Sequence, residues 1–325
     1  MMIDFTNILE TGDWRPGTPF AIAVSGGADS MALLLLADAW VKERSGHVVA
    51  LTVNHGLRKE SAAEAARVKE WCAVREIEHH TLNLHDAGLR IGKTQEEARN
   101  ARYAVLTRWC RSHQIFYLLT AHHQGDQAET LFFRLARGSG IDGLACMAPV
   151  SDVGGVKLLR PLLAFPKSVL TGYLESVGQP WIEDPSNQNP RYTRTLIRQH
   201  LAQSPPSITA KAAELASRFS QIRAVLERET ARHLTDCFSL FPNGGELREA
   251  AFKTLPPEYG LRVLAAITKI IGGGEHAPRS EKLSRFYREL MDGDIRKQRS
   301  FGHCLWQYKA KEDRFIVRRE HAANP

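Results

Sequence analysis

The chain has 325 residues, about twice the length of a typical single domain, so two domains with a substantial core are expected. Hydrophobic residues make up 43% and charged residues 24% of the sequence, which excludes a disordered chain, a fibrous repeat and a bundle of membrane spans. The net charge of +7 is only weak support for an anionic partner.

The positive charge is concentrated in the last two fifths of the chain. Residues 1–190 contain 19 Lys and Arg against 21 Asp and Glu, a net charge of −2. Residues 191–325 contain 24 against 15, a net charge of +9. Such an asymmetry between the two halves suggests that one part binds nucleic acid or a membrane surface.

Targeting signals and paired cysteines are not expected from the sequence. The start, Met1 to Phe5, is acidic and lacks an apolar core, and the apolar run Met31–Ala37 is too short to span a bilayer. The five cysteines are scattered singly, which disfavours a disulfide framework, a zinc knuckle and a paired-thiol redox site. A cytoplasmic protein without membrane attachment is therefore expected.

Short apolar runs alternate with helical patterns through the first half of the chain. Strands are predicted at residues 20–24, 48–53, 78–82, 115–120 and 156–159. Helices are predicted at residues 28–41, 61–75, 95–110 and 126–137. The alternation predicts the α/β class, with right-handed crossovers and a parallel sheet that carries helices on both faces.

A domain boundary is predicted at the consecutive prolines Pro205 and Pro206, because they cannot continue a helix. It separates a catalytic domain, residues 1–203, from a smaller domain, residues 207–325. Apolar residues at three- and four-residue steps from Ala212 to Leu226 predict a long amphipathic helix in the second domain. Helices at 261–271 and 281–291 and a hairpin of 301–308 with 314–318 follow. The second domain is thus expected to be basic and mainly helical.

The strongest chemical signal is a short loop between the first predicted strand and the first helix. Its residues are Ser25, Gly26, Gly27, Ala28, Asp29 and Ser30. The glycines let a ligand approach the main chain, and the following helix N-terminus attracts anions. Asp29 would repel bound phosphates unless a cation bridged them, so Mg²⁺ is expected. A tight turn with Asp29 as a first-turn carboxylate is the alternative explanation.

The loop resembles the Ser-Gly-Gly-x-Asp-Ser loop of the PP-loop ATP pyrophosphatases, which bind ATP and split it between its α and β phosphates. No Gly-Lys-Ser/Thr follows, so it is not a Walker A motif. Further motifs follow in order: VNHGLR (53–58), QEEAR with ARY (95–103), AHHQGDQAET (121–130), RLARGSG (134–140) and DPSN (184–187).

Together these motifs resemble those of the tRNA(Ile)-lysidine synthases, a PP-loop family, over about residues 18–200. Two positions depart from the family pattern: Ala28 at the variable loop position, and Gly125 where the family usually has a second acid. The departure at Gly125 weakens a metal-binding role for that position.

The resemblance implies ATP-dependent ligation of L-lysine to C2 of the wobble cytidine in tRNA(Ile) with a CAU anticodon, through an adenylated cytidine. It implies ATP as co-substrate, Mg²⁺ as cofactor, and a C-terminal domain that binds tRNA. It also implies that the loop, His55 and Arg99 bind ATP, although a packing role fits His55 equally well. The oligomeric state stays open between a monomer and a homodimer.

Asp126 and Glu129 stand three residues apart on the helix that follows the fourth predicted strand, so both can face one way. The N-terminus of such a helix lies at the carboxyl ends of the strands, where ligands bind. The two carboxylates suit a lysine ammonium group or Mg²⁺, and a solvated acidic first turn is the alternative. With the resemblance, the predicted catalytic residues are Asp29, Arg102, Asp126 and Glu129.

Arginines at two places suit the binding of phosphate, because a guanidinium group donates two parallel hydrogen bonds. Arg99 and Arg102 lie one helical turn apart and are predicted to contact the polyphosphate or the adenylate. Arg191, Arg194 and Arg198 form a basic stretch that is predicted to contact tRNA. A solvated charged face is the alternative for each group.

Three other functions are weighed against this one. A tRNA thiolase that uses catalytic cysteines needs a suitable pair of thiols, and the sequence has no motif for it. A non-catalytic adenine-nucleotide-binding module would not need acids after the fourth strand. A dinucleotide oxidoreductase is disfavoured, because the Gly-x-Gly-x-x-Gly pattern at 138–143 follows a predicted helix instead of a strand.

Overall fold

The computed structural model of the protein describes residues 14–54, 60–84, 95–183, 193–274, 277–295 and 297–320. The chain divides into two compact units, residues 1–221 (unit 1) and 222–325 (unit 2). The division falls inside the long helix Pro206–Cys237. Pro206 is the first residue of that helix, where the missing N–H of proline costs nothing. The boundary predicted between residues 203 and 207 stays a proposal.

Unit 1 contains one mainly parallel sheet. Its strands are β1 (Phe20–Ala23), β2 (Val48–Asn54), β3 (Glu78–Asn83), β4 (Tyr117–Leu119), β5 (Val150–Val153) and β6 (Val156–Leu159), in the order β3-β2-β1-β4-β6-β5. Only β5 runs antiparallel to its neighbour, β6. The predicted α/β class is confirmed, and the unpredicted β5 forms a hairpin with the last predicted strand.

The helices that accompany this sheet are α1 (Ala28–Lys42), α2 (Glu60–Val74), α3 (Gln95–Ser112), α4 (Gln124–Ala136), α5 (Ile141–Leu144), α6 (Lys167–Ser176), α7 (Thr193–Gln203) and α8 (Pro206–Cys237), of which α8 begins in unit 1 and ends in unit 2. Helices α1, α2 and α6 share a core cluster with one face of the sheet, and α3 shares one with the other face. Along β1, Phe20 and Ile22 belong to the core cluster that contains α1, whereas Ala21 belongs to the cluster that contains α3. This alternation of side chains gives the sheet two buried faces.

The connections of β1 and β4 create a crevice. β1 pairs with β2 on one side and with β4 on the other, both in parallel. The chain leaves β1 towards β2, so the order of the sheet reverses between β1 and β4. Ligands of open parallel sheets bind at such a reversal, outside the carboxyl ends of the strands. The loops that follow β1 and β4 both begin at this place.

Unit 2 is built on an antiparallel sheet. Its strands are β7 (Phe238–Phe241), β8 (Gly244–Arg248), β9 (Gln298–Phe301), β10 (Cys304–Lys309) and β11 (Arg314–Arg319), in the order β7-β8-β11-β10-β9. Helices α9 (Glu249–Lys253), α10 (Pro257–Gly272) and α11 (Ser280–Met291) pack with it around Trp306 and Phe286. The predicted hairpin is the pair β10–β11, so the sheet is larger than the sequence predicted. In the described ranges of both units, no helix combines the length and the apolar character that crossing a membrane requires.

Candidate active site

The loop between β1 and α1 has a backbone that only glycine fits at one position. Gly26 has a φ of +86°, in the region that disfavours side chains. A Cβ atom at Gly26 would lie 2.6 Å from Cδ1 of Ile182. The Ile182 N–H also donates a hydrogen bond to the Gly26 carbonyl at 2.9 Å. Gly26 therefore fixes the loop against the segment around Ile182.

Two serines close the loop on itself. The Ser25 N–H donates to Oγ of Ser30 at 3.1 Å, and the Ser30 hydroxyl donates to the Gly27 carbonyl at 2.9 Å. Gly27 is the N-cap of α1 and has no side chain with which to cap it. The first-turn N–H groups and the positive end of the helix dipole are thus presented towards the crevice, which suits a phosphate.

Asp29 lies in the first turn of α1 with an unusual environment. Its Oδ1 atom is buried and has no hydrogen-bond partner among the described residues. Its Oδ2 atom lies 3.7 Å from Nε2 of His123 and 4.0 Å from Nζ of Lys167. A buried carboxylate oxygen without a partner is costly, so this atom fits a ligand such as a cation.

His123 links Asp29 to Asp126. The backbone N–H of His123 donates to Oδ2 of Asp126 at 2.9 Å, and the ring nitrogen Nδ1 of His123 accepts from the backbone N–H of Gly125 at 2.9 Å. This reciprocal pair is a capping box at the start of α4. Nε2 of His123 lies 3.7 Å from a carboxylate oxygen of Asp126 as well as of Asp29. The two predicted acids therefore face one imidazole nitrogen at the crevice.

The small size of Gly125 makes this arrangement possible. A Cβ atom at Gly125 would lie 2.7 Å from Cε1 of His123, so any other residue would displace the ring. The neighbouring His122 is oriented differently, with Nδ1 3.0 Å from Oγ1 of Thr120. Burial lowers the pKa of His122 to about 4 against the opposing effect of Asp126, so its ring is neutral at pH 7.

Glu129, one turn after Asp126, is engaged by an arginine that lies 69 residues later. Nε and a terminal nitrogen of Arg198 donate to the two carboxylate oxygens of Glu129 at 2.6 and 2.8 Å. These hydrogen bonds raise the pKa of Arg198. Glu129 is buried, whereas Arg198 is half-exposed. A predicted acid of the site and a predicted tRNA contact are thus joined by a bidentate ion pair.

Further arginines lie on α3 and after β6. The guanidinium carbon of Arg99 lies 5.4 Å from the ring centre of Tyr103, and Arg102 is exposed one turn after Arg99 on α3. Arg160, which the sequence analysis missed, follows β6 and is buried. Its guanidinium group donates to the Ala148 carbonyl at 2.6 Å. Burial lowers the pKa of Arg160, and the nearby Arg99 lowers it further.

Some predicted positions cannot be placed. His55, Arg191 and the motif at 184–187 lie outside the described residues. Within the described residues, no group of three or more His, Cys, Asp and Glu side chains is arranged to hold a metal ion. A magnesium ion in this crevice would therefore depend on one or two carboxylates together with a substrate.

The cysteines do not form a reactive thiol pair. Cys72, Cys110, Cys237 and Cys304 are buried. Burial raises the pKa of Cys72 to about 11 and that of Cys110 to about 12, so both are thiols at pH 7. Cys146 is partly buried and its sulfur donates to the Leu144 carbonyl. The cysteine chemistry of a thiolase has no support in this arrangement.

Comparison with known proteins supports the same fold and family. A family model described as a PP-loop domain matches residues 3–204. A tRNA(Ile)-lysidine synthase of Ruegeria pomeroyi is 39% identical, over 93% of this chain and 71% of the relative. Relatives with the same name from Wolbachia pipientis wMel and Hyphomonas neptunium are 36% and 38% identical. The match to the Wolbachia relative covers 97% of this chain and 73% of the relative, and the match to the Hyphomonas relative covers 86% and 76%.

A solved structure of a U34-tRNA thiolase, NcsA from Methanococcus maripaludis with its 4Fe-4S cluster, superposes with a TM-score of 0.54. It is 17% identical and covers 67% of this chain and 78% of its own. At this identity the likeness concerns the fold alone.

Proposed function

The chain belongs to the tRNA(Ile)-lysidine synthases, enzymes of the PP-loop class, and from that membership we propose its reaction. The enzyme uses ATP to ligate L-lysine to C2 of the wobble cytidine in tRNA(Ile) with a CAU anticodon. The cytidine C2 oxygen attacks the α-phosphate of ATP and releases pyrophosphate. The ε-amine of lysine then attacks C2 and expels AMP, which leaves lysidine in the tRNA.

One observation carries the proposal: the phosphate-type loop after β1 and the acids after β4 meet at one end of the sheet. Asp29 and Asp126 approach the same nitrogen of His123 at 3.7 Å each. A non-catalytic module that only binds ATP would need the loop, but it would not need acidic residues on the helix that follows β4. The pairing therefore favours an enzyme that brings ATP and a cationic second substrate together.

Residues of the loop hold the phosphates of ATP in this proposal. The N–H groups of the first turn of α1 donate to the phosphates, and the Ser25 and Ser30 hydroxyls lie beside them. Arg99 and Arg102 bind the polyphosphate or the adenylate, and His55 belongs to the same nucleotide site. These contacts offset the charge that develops as pyrophosphate leaves.

Magnesium fits the loop because Oδ1 of Asp29 is buried without a partner among the described residues. Mg²⁺ in nucleotide sites is commonly bound by one or two carboxylates together with the phosphates. Asp29 would hold the ion, and Asp126, which approaches the same nitrogen of His123, is the second carboxylate of the crevice. When bound, Mg²⁺ neutralises charge on the phosphates. Asp29 thus positions the ATP that the cytidine attacks.

Lysine is assigned to Asp126 and Glu129. Their carboxylates favour an ammonium group, which must lose a proton before it can attack C2. Arg198 already engages both carboxylate oxygens of Glu129. Lysine must therefore share Glu129 with Arg198 or displace it. Because Arg198 is half-exposed, its guanidinium group can turn outward without unfolding the core.

The tRNA is assigned to the arginines before the long helix and to unit 2. Arg191, Arg194 and Arg198 contact the anticodon arm, and the wobble base is turned out of its stack to reach ATP. Unit 2 carries a net charge of +5 and adds contacts to other phosphates. The same proposal includes a catalytic domain of residues 1–203 and a tRNA-binding domain of residues 207–325. It also includes a cytoplasmic location, and it leaves open whether the enzyme forms a homodimer.

The test is incorporation of radiolabelled lysine into a transcript of tRNA(Ile) with a CAU anticodon in the presence of ATP. The elongator methionine tRNA, which carries the same anticodon, is the control. We expect the label to be incorporated into tRNA(Ile) and not into the methionine tRNA. No incorporation into tRNA(Ile), with binding of both ATP and tRNA intact, would overturn the proposed reaction.

A further inference from the structure

The motif RLARGSG, residues 134–140, has no role in the site described so far. Its glycines are explained by the end of α4. Gly138 has a φ of +64°, its N–H donates to the Leu135 carbonyl, and the Ser139 N–H donates to the Arg134 carbonyl. These bonds form a Schellman motif, which favours glycine at Gly138. Gly140 then precedes α5 as its N-cap. The cap does not require the two arginines of the motif.

Phe133, just before the motif, has two guanidinium groups over its ring. The guanidinium carbon of Arg137 lies 4.4 Å from the ring centre, and that of Arg194 lies 5.3 Å from it. Arg137 belongs to the end of α4 and Arg194 to the start of α7. Both distances are within the range of cation–π attraction.

The stack continues a line of side chains that begins at the acids. Along α4, Asp126, Glu129, Phe133 and Arg137 recur at three- and four-residue steps, so they share one face. On α7, Arg198 pairs with Glu129 and Arg194, one turn earlier, lies over Phe133. The two helices thus run in opposite directions along this line. It leads from the candidate lysine site to the exposed end of α4.

Positive charge accumulates at the far end of the line. Arg134, Arg137 and Arg194 are all exposed there. The pKa of Arg194 is lowered by burial first and then by Arg99 and Arg134, while Glu129 and Asp126 act in the opposite direction. Because like charges repel, an anion that binds among these arginines would relieve the repulsion.

We propose that Phe133, Arg137 and Arg194 form a binding site for single-stranded RNA beside the reacting cytidine. A guanidinium group holds a backbone phosphate, and a neighbouring unpaired base stacks on the exposed planes of the arginines or the ring. The proposal rests on the proposed function and extends it, because it assigns tRNA contacts to Phe133 and Arg137 on α4.

ATP is the other polyanion at this end of the sheet, and distance argues against it. Arg137 lies 11 residues after Asp126, which is roughly 16 Å along a helix axis. The loop after β1 meets α4 at its start, where Asp29 and Asp126 approach one nitrogen of His123, so phosphates bound there are not expected to reach Arg137. An RNA strand carries a phosphate at every nucleotide and can follow the whole line.

The test measures equilibrium binding of the tRNA(Ile) transcript at salt concentrations between roughly 50 and 200 mM. Over this range the affinity of a protein that contacts phosphates falls steeply. Arg137→Gln is expected to weaken binding about 10-fold and to make the log–log salt slope shallower by about 0.7, the value for one single-strand phosphate contact. Arg137→Lys is expected to keep the salt slope, because lysine keeps the positive charge. It is expected to weaken binding, because lysine lacks the planar guanidinium group that can stack. Phe133→Leu is expected to weaken binding about 5-fold without changing the slope.

The matched control is Arg218→Gln on α8, which removes an exposed arginine paired with Glu214 at 2.6 Å. It leaves tRNA binding unchanged. Affinity for ATP is expected to be unchanged in every variant. Arg137 is exposed at a helix end, so Arg137→Gln tests the proposal even if Phe133→Leu fails to fold, and thermal melting identifies that failure.

Wild-type tRNA affinity in Arg137→Gln overturns the proposal, and so does an equal loss of ATP affinity, which would assign the stack to the nucleotide. If the wild type binds tRNA(Ile) but incorporates no lysine, the proposed function fails. The binding data still decide the role of the stack.

Discussion

Units 1 and 2 differ in how they distribute charge and in where their strands end. Unit 1 has a net charge of +2 and unit 2 a net charge of +5. The segment 191–221, with a net charge of +4, belongs to unit 1 and includes Arg194 and Arg198. Basic residues are therefore present in unit 1 as well as in unit 2, so the charge proposed to bind RNA is not confined to one unit.

The two sheets explain why the chemistry is proposed for unit 1 alone. A parallel sheet brings the carboxyl ends of several strands to one edge, and the loops after β1 and β4 meet there. An antiparallel sheet alternates strand direction and creates no such edge. Unit 2 instead has a cavity of about 1020 Å³ lined by Arg279, Lys282 and Arg285, among other residues. Its basic surface suits binding rather than catalysis.

The largest effect is expected from Asp29→Asn in unit 1. Loss of the carboxylate that is proposed to position ATP and Mg²⁺ is expected to lower kcat about 1,000-fold. Lysine incorporation and AMP release measure the change, and thermal melting checks the fold. Asp38→Asn is the matched control, because Asp38 lies on the same helix and pairs with Lys42 at 2.8 Å. Full activity in Asp29→Asn would remove the loop from the mechanism.

A second prediction concerns the backbone of the loop. Gly26→Ala forces a Cβ atom into a positive-φ position beside Ile182, so the free energy of unfolding is expected to fall by about 2–3 kcal/mol. Gly172→Ala in α6 is the control, because no atom lies within 4 Å of the added Cβ. It is expected to stabilise the protein by about 0.5–1 kcal/mol. Urea titration measures the free energy of unfolding of both variants. Equal values for Gly26→Ala and Gly172→Ala would contradict the loop geometry.

A third prediction is that unit 1 is sensitive to acid. Burial, helped by the neighbouring charges of His80 and Lys69, lowers the pKa of His79 from 6.5 to about 4. Between these values the unfolded chain binds a proton that the folded chain does not, so stability decreases as the pH falls from about 6.5 to 4. The whole change in pKa corresponds to roughly 3 kcal/mol, but because the ring is only partly buried the loss attributable to His79 is expected to be about 2 kcal/mol.

His79→Asn is expected to flatten the dependence of the unfolding free energy on pH over this interval. His200→Asn, which changes an exposed imidazole on α7 of the same unit, serves as the comparison. An unchanged slope in His79→Asn would show that this buried imidazole does not cause the acid sensitivity.

The smallest effect is expected from unit 2. Lys282→Gln combined with Arg285→Gln removes two exposed cations of the cavity and is expected to raise the Kd for tRNA about 5-fold. The kcat at saturating tRNA is expected to stay the same, because the role proposed for unit 2 is tRNA binding alone. Lys309→Gln with Lys311→Gln, outside the residues that line this cavity, is the control. A lower kcat in the cavity variant would contradict the division of roles between the units.

Strands β1, β2, β4 and β6 of unit 1 were predictable because each is a mainly apolar run, whereas β3 has the mainly polar sequence EHHTLN. Strand β5 was missed because VSDV has too little apolar character to indicate a strand and is paired by its hairpin with β6. In unit 2, β8 begins with Gly244 and Gly245, which suggest a break. The structure uses their small size, because a side chain at Gly245 would overlap the ring of Phe238.

The candidate site was predictable where it is local in sequence. The loop 25–30 and the spacing of Asp126 and Glu129 are local patterns of glycine, hydroxyl and acid. The pairing of Glu129 with Arg198 joins residues 69 apart, and no sequence spacing indicates which arginine reaches which acid. The cap formed by His123 was missed because histidine is not a usual N-cap residue.

The use of α-³²P-labelled ATP in the absence of lysine shows whether ATP activates the cytidine or the amino acid. We expect label to become attached to tRNA(Ile), and added lysine to release it as AMP. Asp29→Asn is expected to give no labelled tRNA. If the tRNA stays unlabelled without lysine, and labelled lysyl-adenylate forms once lysine is added, the amino acid is activated instead of the cytidine and the proposed order is wrong.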